Sequence, residues 1–182
     1  IRDITPPGFQ FFGQPRQSPS NNTTHCTSGG GLGFLFRDHL KTYLDTTPSY
    51  SSFESLALTS KLPSGSITFF NVYRPPDSSA YSAPFSSFLS DFSAFLSLAT
   101  TTPHEFLITG DFNIHVNDPT DTHAAQFLNL LAAHSLQQHV TFPTHILNNT
   151  LDLVITPSQS TLHPAITCLP TSPSDHFLLL TC

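Results

Sequence analysis

Phe106-Leu107-Ile108-Thr109-Gly110-Asp111-Phe112-Asn113 is the stretch that decides the fold of this 182-residue chain. The apolar run reads as a strand, and Gly-Asp-Phe-Asn behind it as a tight loop at the edge of a sheet. Side chains alternate along extended backbone, so Asp111 and Asn113 point one way while Phe112 points into the core. An acid beside an amide can hold a water, a metal or a phosphate oxygen. Two further polar stretches follow in order, each with its own apolar run: Leu151-Asp152-Leu153-Val154-Ile155 and Ser174-Asp175-His176.

Upstream of this stretch, Phe85, Phe88, Leu89, Phe92, Leu96 and Ala99 recur at helical spacing, with Pro84 in the first turn and Thr102-Pro103 as the stop. Phe53–Thr59 and Ser66–Tyr73 read as two strands of a hairpin around Leu62-Pro63-Ser64-Gly65, ended by Arg74-Pro75-Pro76. Downstream, Asp118-Pro119-Thr120-Asp121 reads as a turn and helix cap before Ala124, Phe127, Leu128, Leu131 and Ala132. Leu151–Thr156, Ile166–Leu169 and Phe177–Thr181 complete the strands. Residues 1–31 read as turn and exposed loop, from Pro6-Pro7-Gly8-Phe9 through the glycines that lead into the strand Phe34-Leu35-Phe36. Those glycines lack the Lys-Ser/Thr of a phosphate cradle and precede a strand, so they read as a flexible loop. Helices placed between sheet elements predict a layered α/β sandwich.

Composition narrows the function. The length suits one domain with a real core. Six Lys and Arg against twelve Asp and Glu give a net charge of −6, which argues against tight non-specific DNA binding by the domain alone. Cys26, Cys168 and Cys182 have no C-x-x-C spacing, which predicts neither a disulfide framework nor a zinc site and suits a reducing, intracellular setting. No apolar run approaches a membrane span. The chain has no Met, and reads as a segment of a longer polypeptide.

Asp111, Asn113, Asp152, Asp175 and His176 are thus expected at strand ends along one sheet edge. Clustered carboxylates repel and need a cation or a proton to coexist. Hard oxygen donors favour Mg2+ or Mn2+. A protonated His176 could neutralise charge developing on a phosphoryl oxygen, and a neutral one could take a proton from water.

The set resembles the endonuclease/exonuclease/phosphatase family, which includes pancreatic DNase and the apurinic/apyrimidinic endonucleases. The likeness is strongest to the endonuclease domain of LINE-type (non-LTR) retrotransposons. It rests on Asn71-Val72-Tyr73-Arg74-Pro75-Pro76, Gly110-Asp111-Phe112-Asn113-Ile114-His115, Thr150-Leu151-Asp152-Leu153-Val154 and Ser174-Asp175-His176, and runs from about Gly29 to the end. The resemblance implies a DNase-like sandwich of two packed sheets flanked by helices. It also implies roles. Tyr73 would contact the scissile phosphate, Asp111 would orient the attacking water, and Asn113 would bind phosphate. Asp152 would support the cluster, Asp175 would be a metal-linked acid that also orients the histidine, and His176 would act at the scissile phosphate. The implied reaction is metal-dependent nicking of DNA, with a reverse transcriptase fused in the full polyprotein and a nuclear location there.

One departure stands out. The family opens with an Asn-bearing strand and then a strand bearing the principal metal-binding Glu. Neither Glu54 nor Glu105 fits that place, so residues 1–28 are expected to be a loop or remnant of the N-terminal region, and 29–182 a partial domain missing its first strands. Two alternatives to the endonuclease follow: a non-catalytic remnant without the metal-binding Glu, or a phosphatase of the same superfamily. The remaining histidines, His145 among them, lack ligand spacing and are expected at the surface, with His115 the one nearest the motif.

Overall fold

The computed structural model describes residues 5–16, 31–79, 82–162, 164–169 and 174–181. Ten strands and two helices are described: β1 (Phe9–Pro15), β2 (Gly31–Arg37), β3 (Lys41–Asp45), β4 (Glu54–Leu62), β5 (Gly65–Tyr73), α1 (Phe85–Ala99), β6 (Glu105–Asp111), α2 (Thr122–Ala133), β7 (Leu136–Gln138), β8 (Asp152–Pro157), β9 (Ile166–Leu169) and β10 (Leu178–Thr181). One six-stranded sheet has the order β3-β4-β5-β6-β8-β7, and two antiparallel pairs, β1-β2 and β9-β10, form sheets of their own. β5 and β6 are parallel neighbours with α1 as their crossover, and the other pairs in the large sheet are antiparallel. No helix of the described residues is long and apolar enough to cross a membrane.

The alternation of the strands divides their side chains between two faces. Ala57, Phe70, Ile108 and Ile155 are register partners across β4, β5, β6 and β8, and all lie in the core that the helices cover. The predicted Phe stripe lies there too. Phe88, Phe92, Phe95, Leu96 and Ala99 of α1 are buried, and the Phe53 ring meets those of Phe88, Phe92 and Phe95 edge-on at 5.7–5.9 Å. Phe112 reaches the same core against Phe92 and Phe127. The predicted cap is present: Asp121 Oδ1 accepts from His123 N at 2.8 Å and Ala124 N at 3.3 Å, satisfying the first orphan amides of α2. The opposite face of the sheet carries Glu54, Tyr73, Asp111 and Asp152, and the β2 strand lies across β4 and β5, with Asn71 Nδ2 donating to Gly33 O at 3.3 Å.

The structure differs from the sequence reading at three strands. Residues 9–15, expected within the loop of 1–28, form β1 and pair along their length with β2. Gly13 and Pro15 mask the pattern, and the Phe11 ring covers Gly13 and its partner Gly33, where an added Cβ would sit 2.4 and 2.6 Å from ring carbons. β3 and β7 are edge strands of mixed polarity, paired along the β4 and β8 backbones, and of their side chains only Leu136 on β7 is buried in the core. Most of the Ser18–Gly31 loop lies outside the described residues.

Candidate active site

Pairing register builds one polar row across the site end of the sheet. Glu54 on β4 is the partner of Tyr73 on β5, Tyr73 that of Asp111 on β6, and Asp111 that of Asp152 on β8. Neighbours in such a row share a face, so four strands deliver three carboxylates and a phenol side by side. Gly110 is what lets β6 come so close. Its φ is +148°, and a Cβ there would lie 1.8 Å from Val72 O.

The loop after β6 fixes the acid–amide pair. Asn113 adopts φ 49°, an αL turn that Asn tolerates. Its backbone N–H donates to Asp111 Oδ1 at 3.0 Å, and its Nδ2 donates to Asp111 Oδ2 at 3.0 Å and to Arg74 O at 2.8 Å. Both amide hydrogens of Asn113 are therefore engaged. Arg74 secures this loop from beneath. Its buried guanidinium donates to Asn113 O at 3.1 Å, pairs with Asp77, and packs 5.1 Å from the Phe85 and Phe88 ring centroids. In the sequence Arg74 stands out only as the residue that ends a strand before two prolines.

A second loop brings in the histidine. Thr144 is buried, and its Oγ1 accepts from the N–H groups of Leu151 and Asp152, each at 3.0 Å. Its backbone carbonyl accepts from Phe177 N at 2.7 Å, and Ile146 N donates to Asp175 O at 3.0 Å. These bonds clamp residues 175–177 beside β8. His176 Nδ1 then lies 2.8 Å from Asp152 Oδ2, and Nε2 lies 4.0 Å from Asp111 Oδ2. Carboxylates only accept, so Nδ1 carries the proton shared with Asp152 and Nε2 faces Asp111.

The electrostatics follow from the crowding. Burial pushes the Asp111 carboxyl up to about 6, helped by the charge of Asp152 and opposed by the Asn113 hydrogen bonds and by His176. Burial of His176 opposes its protonation, but the hydrogen bond it donates to Asp152 and the charges of Asp152, Asp111 and Asp175 outweigh it and raise its pKa. Asp111, Asp152 and His176 offer ligand atoms within 4.8 Å of one another, and His145, Asp175 and His176 do the same.

Asp111, Asn113, Asp152 and His176 thus meet in one place, with Tyr73 next in the row. Asp175 is placed differently. The bond to the His176 ring that the resemblance implies from Asp175 is made by Asp152, and the exposed Asp175 carboxylate meets His145 Nε2 at 3.3 Å, which holds its pKa below the usual range. His145, expected at the surface, is only 11% exposed and sits with its ring 5.0 Å from that of His176. His104, His134 and His139 are likewise hydrogen-bonded, to Thr68, Ser93 and Thr156, while His115 is exposed as expected. Glu54, at the far end of the row, is ion-paired at 2.5 Å with Arg16, whose guanidinium lies 4.7 Å over the Tyr73 ring.

Solved structures share this architecture. The endonuclease domain of TRAS1, a telomere-specific non-LTR retrotransposon, superposes with a TM-score of 0.71 at 15% identity, covering 94% of this chain and 76% of that one. The human Nocturnin catalytic domain with bound sulfate anion gives 0.62 at 17% identity, over 96% and 71% of the two chains. An endonuclease/exonuclease/phosphatase family protein from Leptotrichia buccalis gives 0.64 at 12% identity, over 100% and 73%. At these identities the likeness establishes the fold, a DNase-like layered α/β sandwich. No curated protein matches the chain in sequence. The sequence model of the endonuclease-reverse transcriptase family does match, over residues 67–180. That span runs from β5 to β10 and contains every residue of the cluster around His176, and the chain belongs to this family of endonuclease/exonuclease/phosphatase domains.

Proposed function

We propose that this domain hydrolyses phosphodiester bonds in DNA, nicking one strand as the endonuclease of a retrotransposon polyprotein. The observation that carries the reading is His176 set between two carboxylates, Asp152 on Nδ1 and Asp111 beyond Nε2, with Asn113 bonded to both oxygens of Asp111. Asp152 fixes the tautomer and favours the imidazolium. His176 then presents Nε2 to a phosphoryl oxygen, where a positive donor stabilises developing charge. Asp111, its carboxyl pushed up to about 6 by burial, is poised to orient a water and take its proton. Asn113 holds Asp111, and it frees a donor for phosphate only by releasing one of its present bonds. Tyr73, next to Asp111 in the row, is placed to meet the same phosphate.

The donor set fits a divalent cation. Two neighbouring carboxylates and an imidazole converge within 4.8 Å, and Asp111, raised by burial and then by the Asp152 charge, is a carboxylate whose ionised form a cation would favour. Asp111 and Asp152 would hold Mg2+ or Mn2+, and Asp175 is a further carboxylate close by. Such an ion supplies charge neutralisation at the phosphoryl oxygens. Binding of DNA by the acidic domain alone is expected to be weak, with affinity added by a reverse transcriptase in the same polypeptide and the action nuclear. Nicking of supercoiled plasmid with Mg2+ or Mn2+ tests the reading, and persistent absence of nicking by folded protein at high enzyme concentration would sink it.

One observation favours a non-catalytic domain as the second reading. Glu54, the one glutamate in the polar row, is occupied by Arg16 and so is not free to serve a metal.

A further inference from the structure

We infer that His145 is a positioning residue, which fixes the Asp175 carboxylate beside His176 by a hydrogen bond whose direction the backbone imposes. The inference rests on the cluster being a phosphodiesterase site. The direction comes from two contacts. Leu147 N–H lies 3.1 Å from His145 Nδ1, and a backbone N–H can only donate. Nδ1 is therefore the acceptor, which leaves the proton of the neutral ring on Nε2. That Nε2–H faces Asp175 Oδ2 at 3.3 Å. The same geometry excludes His145 as a metal ligand while the Leu147 bond lasts, because a neutral imidazole has one lone pair and Nδ1 has used it.

Asp175 needs such a partner. Its side chain is 61% exposed, and a carboxylate so placed samples several rotamers unless a bond selects one. Its neighbour His176 is held by Asp152 and by the strand-like bridge between His145 and His176. His145 is also well anchored. Thr144 before it is buried, His145 N donates to Asn149 O at 3.1 Å, and Ile146 N donates to Asp175 O at 3.0 Å. The loop thus holds residue 175 twice, by its carbonyl through Ile146 and by its carboxylate through His145. The effect is to keep an acid near the His176 ring without placing it on that ring.

Nuclear magnetic resonance tests this without any activity. In the unmodified protein the His145 ring nitrogens should show the Nε2–H tautomer, and the Hα–Hβ couplings of Asp175 should report a single rotamer. His145→Phe and His145→Ala should average those couplings, whereas His145→Gln, whose amide nitrogen reaches the place of Nε2, should keep them unaveraged. A purely structural role for the ring would leave Phe closer to the unmodified protein than Gln. An Nδ1–H tautomer, averaged couplings in the unmodified protein, or a single rotamer retained in the Phe and Ala variants would each overturn the inference. A parallel Mn2+ titration should show affinity roughly three- to tenfold weaker in His145→Ala and restored within about twofold in His145→Gln, the range of one hydrogen bond. If the unmodified protein neither binds Mn2+ nor nicks plasmid, the nuclease reading fails, and the rotamer measurements still decide the role of His145.

Discussion

Asp111 and Asp152 are register partners on adjacent antiparallel strands, so the sheet itself forces two carboxylates together, and His176 sits against both. Opposed like charges are unfavourable in a sheet. The hydrophobic strands on either side fix the register, because a slip of one residue would turn Leu153 and Ile155 out of the core. The fold therefore holds a pair that would not associate on its own.

Stability should fall with rising pH in the absence of metal. The folded Asp111 pKa of about 6 lies above its ordinary 3.8, so between about pH 4 and 6 the folded state binds more protons than the unfolded one. His176 acts in the same direction. Its raised pKa contributes stability below about 6.5, and that contribution is lost as pH rises through the folded value. Urea midpoints across this window should decline, and Asp111→Asn should flatten the acidic limb. Saturating Mg2+ should reverse the trend, since a bound cation favours the ionised carboxylate. An Asp111→Asn protein that keeps the whole slope would remove Asp111 as its origin.

Gly110→Ala should unfold or badly destabilise the domain. The added Cβ would press into the Val72 carbonyl at 1.8 Å, and the φ of +148° is costly for any L side chain. A loss of about 3 kcal/mol or more in chemical denaturation is expected, against a smaller loss of about 1–2 kcal/mol for Ala at Gly8, where nothing lies within 4 Å and only the φ of +80° is strained.

Much of this site is legible in the sequence because its parts lie on strands with buried partners. Phe106, Ile108, Leu153 and Ile155 announce β6 and β8, and the polar residues that interrupt them mark the row. What the sequence leaves dark comes from contacts between distant loops. Nothing local shows that Thr144 would cap two amides of β8, that Arg74 would lie beneath Asn113, or that His145 would turn towards Asp175. β1 is dark for a related reason: its glycine hides the strand pattern, and the Phe11 ring lies over it and Gly33 together only once β1 and β2 have paired.

Thr144→Val should test the second loop. The substitution keeps the volume and removes the acceptor that serves Leu151 and Asp152, leaving one buried and one half-buried amide without it. A loss of about 2–4 kcal/mol is expected, with Thr144→Ser recovering most of it. Hydrogen exchange at the Leu151 and Asp152 amides should accelerate selectively, and unchanged protection there would count against the assignment.

The order of losses in plasmid nicking tests the roles within the cluster. Where the unmodified domain, or the polypeptide that carries it, nicks DNA with Mg2+, His176→Ala and Asp111→Ala should each lose roughly a hundredfold or more, since each acts on groups that change charge in the transition state. Asp152→Asn should approach His176→Ala, because an amide in place of the carboxylate leaves Nδ1 without its anion and lowers the population of imidazolium. The double variant of His176 and Asp152 should lose little more than either single one, as residues acting as a unit are not additive. Tyr73→Phe should cost less, removing one hydroxyl while the ring still supports Arg16. His115→Ala should be near neutral, its side chain being exposed. Losses for Asp152 and His176 that multiply in full would mean that the 2.8 Å bond between them has no part in the reaction, and would return Asp152 to a purely structural place in the sheet.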